Sequence, residues 1–101
     1  MKFRLNYRIT DQNKFLLVLK NWSSMWPRER ANDAGEGVRM IGRWHDLAGK
    51  TGVAIVESND LAAVQRWIGK WNPYMDCELT PVVDDEESAT IAGYIVDDHN
   101  A

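Results

Sequence analysis

The residues Lys2 to Ile9 constrain this chain more than any other stretch: Phe3, Leu5, Tyr7 and Ile9 are apolar, and Lys2, Arg4, Asn6 and Arg8 between them are polar. A period of two sends alternate side chains to opposite faces of a strand, so one face of the sheet it joins is buried and the other is not. A sheet of that kind needs a second layer over its apolar face. Thr10-Asp11 then offers a helix cap and a first-turn acid, followed by Phe15, Val18, Leu19, Trp22 and Trp26 at helical spacing. Pro27 stops that helix near Trp26. Arg28 to Gly37 mixes charges, Asn, Asp and two glycines without an apolar period and reads as a long loop.

Val38 to His45 returns to strand composition, Ala48 to Gly52 reads as a turn, and Val53 to Glu57 is a second strand, which together make a β-hairpin. Asn59 or Asp60 caps a second helix carrying Leu61, Val64, Trp67, Ile68 and Trp71, and Asn72-Pro73 ends it. A last strand runs from Asp76 to Val83, where Pro81 calls for an edge position or a bulge. Asp84 to Asp98 opens with four acids and carries Ile91, Tyr94 and Ile95 at helical spacing. A short C-terminal helix is expected there. A strand over Gly93 to Val96 is the alternative, and in an oligomer such a tail can pack on a neighbouring subunit. The order β-α-β-β-α-β predicts an α+β, ferredoxin-like domain over residues 1–87, with a C-terminal extension over 88–101. Two helices cover one face of its four-stranded antiparallel sheet.

Composition narrows the function classes. At 101 residues, 45% apolar and 27% charged, the chain fits one soluble domain with a small core. A net charge of −3 argues against a general nucleic-acid binder, which needs a concentrated excess of Lys and Arg. The single Cys77 forms no internal disulfide, and no apolar run approaches the ~20 residues that span a bilayer. The chain opens on a strand and not on a targeting segment, so cytoplasmic residence is the expectation.

Function is expected on the sheet face that the helices leave open, or in a pocket beneath them. Along the second strand, Val38, Met40, Gly42 and Trp44 share one face, and Arg39, Ile41, Arg43 and His45 share the other. Pleat parity separates Trp44 from His45 unless the strand end is bulged. Trp44 is expected to face the helices and to join Trp22, Trp67 or Trp71. His45, Arg43, Arg39, Arg4 and Arg8 then share the open face with Asp76 or Glu78. That face is either a set of cross-strand ion pairs or an anion-binding or dimer-forming surface.

Gly42-Arg43-Trp44-His45 with the hairpin after it, Val56-Glu57, Asp60-Leu61-Ala62-Ala63, Trp67, Trp71 and the run Thr80 to Glu87 carry a further signal. Over roughly residues 1–87 the chain resembles a domain-of-unknown-function family of small prokaryotic proteins in the dimeric α/β-barrel superfamily. The resemblance implies a homodimer with two sheets packed face to face, and it implies no activity. The Arg28 to Gly37 loop is longer and more charged than that family's pattern. Superfamily members include cofactor-free oxygenases, isomerases, haem-dependent enzymes and stress-associated proteins, so fold leaves the reaction type open.

Among single residues, His45 is the candidate general base and Arg43 the group to hold developing negative charge. A strand-end histidine bonded to the following loop is the alternative. Cys77 reads as a small apolar strand residue. His45-Asp46 and Asp97-Asp98-His99 lack the spacing of a metal site, and Gly35-Glu36-Gly37 lacks that of a phosphate loop, so no metal or cofactor is implied. A pocket between helices and sheet is expected to be lined by Trp44, Trp67, Trp71 and Tyr7, with Arg28 to Gly37 as a lid and a small apolar or aromatic molecule as ligand. The sequence therefore predicts a small-molecule binding or accessory protein first. A cofactor-independent enzyme acting on an aromatic or carbonyl substrate comes second, and a protein interaction module third.

Overall fold

The computed structural model describes residues 1–100. Its elements are β1 (Lys2–Arg8), α1 (Gln12–Ser24), α2 (Pro27–Ala31), β2 (Arg39–Asp46), β3 (Thr51–Glu57), α3 (Leu61–Trp71), β4 (Asp76–Val82) and α4 (Asp85–Asn100). The strands form one sheet in the order β2-β3-β1-β4, with every neighbouring pair antiparallel. This is the ferredoxin-like α+β arrangement, with β1 inside the sheet and β4 at its edge. The edge position explains Pro81, whose missing N–H costs no ladder bond there.

The alternation of β1 sets the layers. Phe3 and Leu5 are buried with Ala54 and Val56 of β3 under Val64 and Trp67 of α3. Val56 and Val64 are fully buried, each contributing roughly 1.5–3 kcal/mol by leaving water. A second cluster joins Ile9, Val18 of α1 and Met75. Lys2, Arg4, Asn6 and Arg8 take the opposite face.

Local chemistry sets the helix ends. The Asp11 carboxylate accepts from the N–H groups of Asn13 and Lys14, and that of Asp60 accepts from Ala63, so both act as N-caps. α1 stops at Ser24, because Trp26 is held extended by Pro27. The segment expected to be a loop from Arg28 starts instead as α2, since Pro27 is preorganised for a first turn and Glu29 accepts the Trp26 N–H at 2.9 Å. The C-terminal segment is helical, as its spacing predicts, and its 16 residues begin at Asp85. Asp84 and Glu87 cap each other's backbone N–H at its start. No helix among the described residues is long and apolar enough to cross a membrane.

Candidate functional site

The site is aimed by a bulge in β2. Met40 pairs with Val56 and Gly42 with Ile55, so Ile41 is an extra residue without a partner on β3. Before the bulge, Met40 lies opposite buried Val56 and faces the helices. Beyond it, Arg43 lies opposite buried Ala54 and His45 opposite Gly52, so these two take over the helix side. Gly42 and Trp44 move to the open face.

This corrects two expectations. Trp44 does not join the aromatic cluster: it is 62% exposed, and its ring lies over Gly42. Arg43 and His45 do not share the open face with Arg4, Arg8 and Arg39. The physical reason in both cases is one inserted residue, which inverts the pleat for everything after it.

Tyr7, Gly52 and His45 lie in one row across β1, β3 and β2. A Cβ at position 52 would overlap the Tyr7 ring, so glycine there lets the phenol lie across β3. The Tyr7 hydroxyl meets His45 Nδ1 at 2.6 Å. Partial burial, and then the nearby Arg43 cation, push the imidazole below its usual range. Burial raises the Tyr7 phenol, opposed by Arg43. Both groups are therefore neutral near pH 7, and the phenol donates to Nδ1 or accepts from it according to the imidazole tautomer.

Trp22 of α1 closes the row from above. Its ring lies 5.4 Å from His45, 6.1 Å edge-on from Trp71 and 4.5 Å from the Arg43 guanidinium. Behind this cluster stands Asp33, only 6% exposed. Its carboxylate accepts from the indole N–H of Trp67 at 3.0 Å and of Trp71 at 3.1 Å, and from Arg43 Nη1 at 3.3 Å. Arg43 Nη2 donates to the Arg30 carbonyl at 2.8 Å, and Lys70 Nζ to the Asp33 carbonyl at 2.6 Å. Burial lowers the Arg43 pKa and Asp33 opposes that, leaving a cation held in place by hydrogen bonds.

These groups border a cavity of about 70 Å³ between α1 and the sheet. Ile9, Phe15, Val18, Leu47 and Met75 supply apolar wall, and Tyr7, Asp33, Arg43, His45, Asp46 and Lys50 bring polar groups to it. Of the residues expected to line a pocket, Tyr7, Trp67 and Trp71 do so, together with both candidate catalytic residues; Trp44 does not. Trp67 is nearly buried, with its N–H committed to Asp33. The lid expected from Arg28 to Gly37 contributes Asp33 to this lining.

Asp33 escaped the sequence reading because it stands among other polar residues in a segment without periodicity. The available signal was indirect: two tryptophans four apart on one apolar helix face need a buried acceptor for their N–H groups. Cys77 is half-buried, and burial raises its thiol pKa. Among the described residues, no group of three or more His, Cys, Asp or Glu could hold a metal ion.

The fold and this cavity define a ferredoxin-like α+β protein with a small, mostly apolar pocket between α1 and the sheet. The chain belongs to the family described as a domain of unknown function, DUF3303, which matches residues 1–94. No curated protein matches it. Among solved structures it is similar to a protein of Deinococcus radiodurans provisionally named an antibiotic biosynthesis monooxygenase, at 9% identity and a TM-score of 0.45, over 83% of this chain and 94% of that one. It is also similar to a dimeric ferredoxin-like protein from an uncultured marine organism, at 17% identity and a TM-score of 0.39, over 83% of this chain and 95% of that one.

Proposed function

We propose that the protein is a cytoplasmic homodimer that binds a small apolar or aromatic molecule carrying one oxygen function, seated beneath α1. The observation that carries this reading is the cavity itself, whose mostly apolar wall includes the joined Tyr7 and His45 and the Arg43 guanidinium. Such a site orients a ligand through a few polar groups and holds it through the rest. Its volume of about 70 Å³ is below the ~150 Å³ of a dry cavity that takes benzene, so a ring enters as α1 moves outward. Val18 is the one buried residue of α1, which keeps that movement inexpensive.

Titration of the full chain with phenol and with benzoate, followed by tryptophan emission, tests the reading. Saturable binding is expected, about 10-fold weaker in Trp22→Ala and in His45→Ala and unchanged in Trp44→Ala. Absence of saturable binding of both probes refutes it.

The short contact between Tyr7 and His45 favours a second reading, a cofactor-independent enzyme acting on an aromatic or carbonyl substrate. A neutral imidazole at the cavity rim is the form a general base requires, and Arg43 is placed to hold developing negative charge. Turnover lost in His45→Ala with ligand binding retained would mark the enzyme.

A further inference from the structure

We infer that the ligand is longer than the cavity beneath α1: its ring carries an apolar chain ending in a carboxylate, and the chain runs out along a groove between α1 and the outer strand β2. The inference rests on the binding reading above and names the class of molecule that site takes, a hydroxyaryl alkanoate. The cavity of about 70 Å³ is far below the ~300–1,000 Å³ of ordinary ligand pockets. It does not stand alone. Leu19, Trp22, Arg43, His45 and Leu47 line both the cavity and an open groove of about 640 Å³ beside it. The space beneath α1 therefore continues outward between that helix and the turn that joins β2 to β3.

The groove suits an alkyl chain. Leu19, Trp22 and Leu47 give it apolar wall, and Trp44, carried to the open face by the bulge, adds a second indole. Trp44 is its one residue from that face. Leu19, Lys20, Trp22 and Ser23 all belong to α1 on the other side of the sheet, so two sheets packed through their open faces leave most of the groove free.

Charge sets the end of the chain. Lys20 and Arg43 line the groove, and no Asp or Glu does. The acids of the adjoining cavity are engaged: Asp33 by Arg43, Lys70 and two indoles, and Asp46 by the Gly49 N–H at 2.9 Å. Arg43 is matched by Asp33, which leaves Lys20 as the uncompensated cation. α1 itself carries Lys14 and Lys20 without an acid, and Lys20 forms no ion pair among the described residues. Its methylene stem extends the apolar surface, and its ammonium stands where a chain along the groove presents a carboxylate.

Calorimetric titration of the full chain at low salt tests this with three probes: phenol, para-hydroxyphenylbutanoate, and the amine built on the same three methylenes. Partial cover of the methylenes is expected to make the butanoate about 10-fold tighter than phenol. The wild type is expected to prefer the butanoate to the amine by about 3-fold, the size of an exposed ion pair. Lys20→Glu, at an exposed position, should reverse that order. Lys14→Glu makes the same change of net charge on the same helix outside cavity and groove, and should keep the wild-type order. A butanoate no tighter than phenol, an order that Lys20→Glu leaves alone, or one that Lys14→Glu moves equally overturns the groove and leaves the cavity reading standing. Absence of saturable binding of phenol and butanoate alike refutes both.

Discussion

Asp33 satisfies two indole N–H groups and one guanidinium with a single carboxylate, so its removal strands one buried and two half-buried donors together. Asp33→Ala is expected to cost about 3–5 kcal/mol, because it leaves the half-buried Arg43 cation uncompensated as well as the indoles unpaired. Asp33→Asn keeps an acceptor and is expected to cost about 1–2 kcal/mol. Denaturant midpoints of the two variants measure the difference, and equal midpoints would mean that a neutral acceptor at this position contributes nothing and that the loss belongs to the charge. Gly52→Ala acts on the other half of the site. The added methyl displaces the Tyr7 ring and breaks its contact with His45, at an expected cost of about 1–3 kcal/mol by chemical denaturation. Tyr7 was legible as a sheet residue from the alternation of β1. Its reach to His45 was not, since it depends on the absence of a side chain on β3, the strand between the two residues.

At the scale of elements, the bulge at Ile41 decides which residues of β2 form the site. Deleting Ile41 should restore one continuous pleat, with Met40 opposite Val56, Gly42 opposite Ile55 and Arg43 opposite Ala54, and so keep Arg43 and His45 on the helix side and Gly42 and Trp44 on the open face. The Asp33 ion pair is kept and Trp44 stays outside the core, so only a modest loss of about 0.5–3 kcal/mol is expected by chemical denaturation. A loss well beyond that range would show that Ile41 does not stand outside the register. The order of the strands and longer helices was legible, with caps placed to within a residue, at Thr10-Asp11 and at Asn59 or Asp60, and with Pro81 at an edge or a bulge, because periodicity, capping residues and proline act locally. α2 was hidden because its single turn is too short to show an apolar period. The bulge was hidden because Val38 to His45 alternates equally well in either phase, and only pairing with β3 selects between them.

The whole molecule carries the pH dependence. Burial holds the His45 pKa below its ordinary value of about 6.5, with Arg43 adding to the shift. Below that value the unfolded chain takes up a proton at His45 that the folded chain refuses, so stability falls as pH drops from about 7 toward 5. Glu57 and Asp84 are held below the usual carboxylate range, chiefly by the Arg39 hydrogen bond and by the Glu87 backbone N–H respectively, and their contributions are lost only at lower pH. Thermal midpoints across this range should decline in the wild type and flatten in His45→Gln, and parallel curves would exclude His45 as the cause. The ferredoxin-like fold was legible from the sequence, whereas the cavity required the structure, since its polar groups come together from β1, β2 and the turn after α2. For the gene that encodes this chain, the bulge means that errors of substitution and errors of length are different kinds of event within β2. In a map of tolerated substitutions along that strand, the intolerant positions should be even-numbered up to Met40 and odd-numbered from Arg43 onward, and the change of phase would mark the extra residue without any structure in hand.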